Sequence, residues 1–104
     1  MIHVIATIEL REGTRARFLT EFARLVPDVR AEAGCIEYGA GTDLSTSLDG
    51  QAPLRQDVVI VVEKWADVAA LARHLAAPHM AAYRTRVGGW VVSVSLQILA
   101  PAGD

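Results

Sequence analysis

This sequence of 104 residues has a single cysteine, no large excess of positive or negative charge and no long apolar run. Its single cysteine, Cys35, cannot form an internal disulfide, which favours a reducing compartment. No run of about 18 apolar residues occurs, so no membrane span is expected. The net charge is −2 and the basic residues are scattered, which argues against nucleic-acid binding. No signal peptide is visible in "MIHVIATIEL", so we expect a cytoplasmic protein.

Motifs for nucleotide and metal chemistry are also missing. There is no Walker loop and no dinucleotide-binding glycine pattern. His74 and His79 are five residues apart with Pro78 between them, which breaks the one-face spacing of a helical histidine pair. Neither a cysteine nor an acidic cluster completes a metal site in the sequence pattern, so no metal is expected.

Hydrophobic periodicity predicts the secondary structure. Apolar residues alternate from Ile2 to Glu9, which predicts a first strand. A helix is predicted from Arg15 to about Glu32, with Thr14 as its N-cap, a kink caused by Pro27 and Gly34 as its stop. The further strands are predicted at 35–43, 57–65 and 90–99, with a polar loop at 44–56 and two helical pieces at 68–76 and 78–87.

The element order predicts one α+β domain over residues 1–104 with the ferredoxin-like order β-α-β-β-α-β. Both helices should lie on one face of a four-stranded antiparallel sheet. The third strand is apolar on both faces, and the fourth is expected to bury one row on one face and to show Val91 and Leu99 on the other. That buried row is Val92, Val94, Leu96 and Ile98. The uncovered face predicts a homodimer in which sheet packs on sheet.

Most of the chemically interesting side chains fall within "EKWADVAALARHLAAPHMAAY", residues 63–83. Glu63 either orients a histidine or is a strand-end residue that reaches water or an arginine such as Arg73 or Arg84. His74 lies in the last turn of one helix, where the helix dipole favours the imidazolium. His79 lies in the first turn of the next helix, where the neutral ring is favoured, and this difference suits acid and base chemistry.

Three aromatic residues accompany these groups. Tyr83 follows His79 by four residues, so the two can share a helical face. Tyr83 is predicted to be either a core ring or a pocket donor, and Tyr38 is equally ambiguous. Trp65 shares a strand face with Glu63 and is typical of a packing residue.

Three tracts, "RAEAGCIEYGAGTD", "VVIVVEKWADVAALARHLAAPHMAAY" and "SVSLQILAP", resemble the antibiotic biosynthesis monooxygenase (ABM) family, and within it the bacterial quinol monooxygenases. The motifs that carry the resemblance are Glu-x-Gly-Cys from Glu32, Glu-x-Trp from Glu63, and two histidines with a proline before the second. Together they cover essentially the full chain. The resemblance implies a dimeric α+β barrel.

The resemblance further implies oxidation of a quinol or hydroxylated aromatic substrate by O₂ without flavin, haem or metal. In this interpretation His79 is the candidate base, and His74 and Tyr83 are donors to the developing anion. Glu63 orients a histidine, Trp65 walls the pocket and Tyr38 is a further pocket residue. The alternatives are a non-catalytic dimeric ligand-binding or stress-response protein, and an isomerase on the same fold. Haem-degrading relatives place a histidine ten residues after a tryptophan, whereas Leu75 stands there after Trp65.

Overall fold

The computed structural model describes residues 1–103 and contains four strands and three helices. In chain order the elements are β1 (Ile2–Leu10), α1 (Arg15–Arg30), β2 (Cys35–Gly41), β3 (Val58–Trp65), α2 (Val68–Ala76), α3 (Pro78–Val87) and β4 (Val91–Leu99). The predicted elements are confirmed, with ends that move by at most two residues. Because Pro78 separates the second helical region into two helices, the order is β-α-β-β-α-α-β.

The four strands form one antiparallel sheet in the order β2-β3-β1-β4. Opposite residues of an antiparallel pair point to the same face. Val4 lies opposite Glu63 on β3, and Tyr38 on β2 also lies opposite Glu63. These side chains therefore share the face that the helices cover, and the predicted ferredoxin-like arrangement is confirmed.

The hydrophobic core lies between this face of the sheet and the helices. Alternate residues of β1 and β3 point into it, as the period of two in the sequence requires. Helix α1 contributes a stripe with steps of four, three and four residues: Phe18, Phe22, Leu25 and Val29. No helix in the described residues is long and apolar enough to cross a membrane.

Helix α1 differs from its prediction at its beginning. Thr14 precedes the helix, but its side chain makes no capping bond. Its hydroxyl instead donates to the Arg11 carbonyl at 2.7 Å, which closes the turn before the helix. Asp67 caps the N-terminus of α2, since its carboxylate accepts from the backbone N–H of Ala70 at 2.8 Å.

Gly34 determines how the end of α1 meets α2. Its φ of +85° lies in the left-handed region that glycine adopts without strain. A Cβ at this position would lie 2.6 Å from the Ala70 Cβ, so the backbone can approach α2 only without a side chain here. The Gly34 carbonyl also accepts from the Ala66 N–H at 2.8 Å. The turn after α1 is thus held against the start of α2.

Strand β4 does not have the burial that the sequence predicts. Val92, Val94, Leu96 and Ile98 are all exposed, as is Leu99, whereas Val91 packs against the core. Three of them lie on the helix-covered side of the sheet, because they pair with β1 residues of that face. The pairs are Val94 with Ile8, Leu96 with Ala6, and Ile98 with Val4. Since β4 is the edge strand beyond β1, the helices do not reach far enough to cover it. The prediction of a buried row is therefore wrong for the single chain.

Candidate active site

A cavity of about 410 Å³ lies between the helices and the sheet. Most of its wall is apolar, and five polar or ionisable side chains interrupt that wall. The five are Tyr38, Glu63, His74, Tyr83 and Arg84. A mostly apolar cavity with a few convergent polar groups is the usual form of a small-molecule site. Four of the six predicted site residues therefore line one cavity.

His74 is the buried histidine of this site. It lies in the last turn of α2 and is only 1% exposed. The Trp65 ring lies 4.6 Å from the imidazole and the Tyr38 ring 5.4 Å from it, centroid to centroid. Burial lowers the pKa of His74, and the neighbouring Glu32 carboxylate opposes that shift. The prediction that His74 is easier to protonate is wrong, because the desolvation that accompanies its burial lowers its pKa.

Glu32 connects the two histidines. Its Oε2 atom accepts a hydrogen bond from His74 Nδ1 and another from His79 Nε2, each at 2.8 Å. Glu32 follows α1 in the turn that Gly34 shapes, so this turn places the carboxylate beside α2 and α3. Because an anionic carboxylate only accepts, each ring nitrogen that faces it carries a proton.

His79 lies behind the cavity wall. Its side chain is 28% exposed, and among residues 1–103 it is not one of those that line the cavity. Of the three hydrogen-bonded groups, His74 lines the cavity, whereas Glu32 and His79 are not among its described lining residues. The geometry therefore places His74 closer than His79 to any molecule in the cavity.

Glu63 does not orient a histidine. Its Oε1 accepts from the Trp65 indole N–H at 2.9 Å, and no ion pair with Arg73 or Arg84 forms in the described structure. Burial raises the pKa of Glu63 to about 7, and the Trp65 hydrogen bond only partly offsets this. A carboxyl group that lines the cavity and titrates near neutrality can serve as proton donor or acceptor.

Trp65 supports the site from behind and does not form its wall. It is fully buried and, within the described chain, absent from the cavity lining. One edge of its indole donates to Glu63 while its ring packs on His74. The prediction that Trp65 walls the pocket is wrong, since its ring fills the space beneath two groups that do face the cavity.

The two tyrosines lie within an aromatic cluster at the cavity. Tyr38 stacks on Phe22 at 5.5 Å, and Tyr83 meets Phe18 edge-on at 6.2 Å. Burial raises the pKa of both tyrosine hydroxyls above the ordinary value. Both hydroxyls therefore stay protonated at neutral pH and are available as hydrogen-bond donors.

Glu32, His74 and His79 are also a group of described residues that could hold a metal ion, since their potential ligand atoms lie within 4.8 Å of one another. Both imidazole nitrogens approach the same carboxylate oxygen at a distance typical of a hydrogen bond. The three side chains therefore form a hydrogen-bonded triad.

The fold and the site define an α+β protein with a mostly apolar cavity that contains a carboxyl group and an imidazole. Residues 1–86 match the sequence profile of the family described as "Antibiotic biosynthesis monooxygenase", and the chain belongs to this family. It is 37% identical over 103 residues to "Probable quinol monooxygenase YgiN" of Escherichia coli, covering 97% of this chain and 98% of that one. The resemblance predicted from the sequence motifs is confirmed.

Solved structures agree with this assignment. A Pseudomonas aeruginosa protein superposes with a TM-score of 0.79 at 27% identity, over 98% of this chain and 94% of its own. A Mycobacterium tuberculosis protein gives a TM-score of 0.78 at 26% identity, over 99% and 96%. The fold is therefore shared across nearly the whole length of both proteins.

Glu32 is the site residue that spacing and periodicity missed. It stands 42 residues from His74 and 47 from His79, so no local pattern links them. The available signal is its place in the Glu-x-Gly-Cys motif at the exit of α1, one of the motifs that carry the family resemblance.

Proposed function

We propose that this protein is a cofactor-independent monooxygenase that oxidises a quinol or related hydroxylated aromatic compound with O₂. The observation that carries the proposal is the apolar cavity into which His74, Glu63 and two tyrosines converge. Family membership and the similarity to a protein named as a quinol monooxygenase support the same reaction class. The name of that relative motivates the choice of quinols as the substrate class.

The cavity suits a flat aromatic ring with a hydroxyl group at its polar end. Apolar side chains such as Ile8, Val61 and Met80 would surround the ring, and their burial by the ligand supplies binding energy. A substrate hydroxyl near His74 would meet a neutral imidazole, because burial lowers the pKa of that group. We therefore assign His74 as the base, in place of the predicted His79.

The reaction needs no external reductant. Loss of a hydroxyl proton makes the aromatic ring electron-rich enough to donate electrons to O₂. When one oxygen atom replaces a ring hydrogen of the hydroxylated compound and the other leaves as water, the organic product is a quinone and the substrate supplies all the electrons. The protein must then bind the ring, remove a proton and stabilise the oxyanion.

Tyr38 and Tyr83 are the proposed donors to that oxyanion. Both line the cavity, and both keep their hydroxyl protons at neutral pH. Glu63 lies on the same wall and would hold or release a second proton as the product forms. A two-proton substrate such as a quinol thus meets two separate acceptors, His74 and Glu63.

We further propose that two copies pack through the sheet face that carries no helix. Ile5, Ile60 and Val62 lie on that face, and Val62 is 46% exposed. An apolar row on a sheet face is typically covered by another sheet at about 10 Å. The proposed assembly is a homodimer, which would be the α+β barrel implied by the family resemblance.

The decisive experiment is O₂ uptake with a panel of reduced quinols, using protein shown to be free of metal and flavin. Uptake well above spontaneous oxidation, with quinone product, is expected. His74→Asn should lower kcat/KM by about 100-fold. His3→Asn is the matched control, because His3 lies on β1 and, in the described structure, does not line the cavity.

Two other outcomes would replace the proposal. Turnover that continues equally in the absence of O₂ would indicate an isomerase. Ligand-dependent thermal stabilisation with no product from any quinol would indicate a binding protein.

A further inference from the structure

One carboxylate oxygen serves two histidines of different exposure. Glu32 Oε2 lies 2.8 Å from both His74 Nδ1 and His79 Nε2. The His74 side chain is 2% exposed and lines the cavity, whereas the His79 side chain is 28% exposed. The three groups therefore form a continuous hydrogen-bonded path between the cavity and water.

We propose that Glu32 is a positioning residue that fixes His74 in its Nδ1–H tautomer and couples proton uptake at His74 to proton release from His79. This inference rests on the proposed function for the proton's source, the substrate hydroxyl. It gives His79 a role at the solvent end of the path.

The tautomer follows from the hydrogen bond. When Nδ1 of a neutral imidazole donates, Nε2 carries the lone pair. No hydrogen-bond partner for His74 Nε2 is found among the described residues, and His74 lines the cavity. Nε2 is therefore the ring nitrogen that can accept a substrate proton.

The coupling follows from charge. A single carboxylate compensates one imidazolium, and a second positive charge on the neighbouring ring would be unfavourable. Of the two rings, His79 is the one that can pass a proton to water, because its side chain is the more exposed. When His74 becomes positively charged, His79 is driven to release its proton to water.

Proton and charge balance in this step. The substrate O–H bond breaks and an N–H bond forms at His74 Nε2, which leaves the substrate as an anion. An N–H bond of His79 breaks and its proton goes to solvent. The net charge of the triad is the same before and after, so the buried site gains only the negative charge of the substrate.

Other charged or titratable groups also face His74. Arg84 on α3 opposes its protonation, as His79 does, and Glu32 favours it. Glu63 on β3 lines the same cavity, and Tyr38 on β2 contacts the ring. Variants that keep these groups unchanged can therefore isolate the contribution of the triad.

Proton NMR of the full-length protein tests the coupling without any substrate. The chain has three histidines, and His3 is an internal reference outside the triad. Glu32→Gln should move the titration midpoint of His74 down, because an anion is lost. His79→Gln should move it up, because a competing positive charge is lost while Glu32 remains. Imidazole ¹⁵N shifts should show His74 protonated at Nδ1 in the wild type.

Opposite shifts of the His74 midpoint, with His3 unchanged, are the expected result. A midpoint that stays fixed in both variants, or moves in the same direction in both, would overturn the coupling. If Glu32→Gln does not fold, His79→Gln decides alone, since its partly exposed side chain leaves the Glu32–His74 bond intact. These measurements hold even if no quinol is turned over, so the two proposals fail separately.

A kinetic measurement completes the test once a substrate is known. His79→Ala should lower kcat about tenfold with little change in KM. Added imidazole should restore part of this loss by accepting protons at the vacated, solvent-facing position. An unchanged kcat, or a loss of kcat that added imidazole does not restore, would remove His79 from the proton path.

Discussion

Glu32 and His74 are 42 residues apart in the sequence, yet the Glu32 Oε2 and His74 Nδ1 atoms lie 2.8 Å apart. Two local features produce this contact. Gly34 turns the chain after α1 with a positive φ and brings it against α2, and Asp67 caps the N-terminus of α2. The site therefore depends on how the turn and the helix meet, which makes residues outside the cavity important for its geometry.

Gly34→Ala should strongly destabilise the protein. The substitution forces a left-handed backbone on alanine and places its Cβ 2.6 Å from the Ala70 Cβ. Backbone strain of about 1–2 kcal/mol and overpacking of about 1–3 kcal/mol should add in the free energy of unfolding. Urea denaturation measures the sum, and the same variant should lose activity because Glu32 shifts with the turn.

Gly50→Ala is the matched control for this prediction. Gly50 has a φ of +87°, but a Cβ there would meet nothing within 4 Å. The Gly50→Ala variant should therefore lose only the free energy of unfolding that corresponds to backbone strain. The double variant Gly34→Ala with Ala70→Gly should recover part of the loss. If Gly34→Ala lowers the free energy of unfolding no more than Gly50→Ala does, the turn does not approach α2 as closely as described.

Glu63→Gln should change how stability depends on pH. The folded-state pKa of Glu63 is raised to about 7 from an ordinary value of 4.5. Between these values the folded chain holds a proton that the unfolded chain has lost, so the contribution of Glu63 to stability falls as pH rises. Glutamine removes this effect and should make the variant more stable relative to wild type at pH 8 than at pH 5, by up to about 3 kcal/mol.

Denaturation curves at both pH values measure this difference. Glu37→Gln is a suitable control, because Glu37 is exposed and pairs with Lys64 at the surface. A Glu63→Gln variant whose relative stability is the same at pH 5 and pH 8 would show that Glu63 is ionised normally in the folded protein. In that case its proposed role as a second proton acceptor near neutral pH would be abandoned.

Asp67→Ala should destabilise α2 by about 1 kcal/mol, because the helix loses the hydrogen bond from the Ala70 N–H to the Asp67 carboxylate. Asp67→Asn retains an oxygen acceptor and should cost much less. Thermal unfolding of the two variants compares them directly. Equal losses would show that the charge of Asp67, and not its capping bond, stabilises the helix.

Local signals in the sequence were sufficient for most of the fold. The predicted bounds of α2 and α3 are the observed ones, because a capping aspartate and a helix-starting proline mark them within a few residues. Strand β3 follows equally well from its unbroken apolar run. The burial of β4 could not be predicted in this way, because the same apolar pattern arises whether a helix or another chain covers the strand. Only the sheet order shows that no helix covers β4.

The site could be predicted only as a set of residues, without their partners. The sequence identifies His74 as a candidate, but the burial of its ring depends on Trp65 of β3 and Tyr38 of β2. The helix dipole that the sequence reveals is a weaker effect than this desolvation. Contacts between different elements of the fold therefore set both the burial of His74 and the identity of its carboxylate partner.

Val62→Glu should dissociate the proposed dimer. Val62 is exposed on the helix-free face of β3, and a carboxylate there would be buried without a partner if two sheets packed face to face. Light scattering should give twice the protomer mass of 11.2 kDa for the wild type and one protomer mass for the variant. Val68→Glu is the control, because Val68 is comparably exposed but lies on α2. A wild-type monomer would refute the dimer, whereas dissociation by Val68→Glu alone would move the interface to the helices.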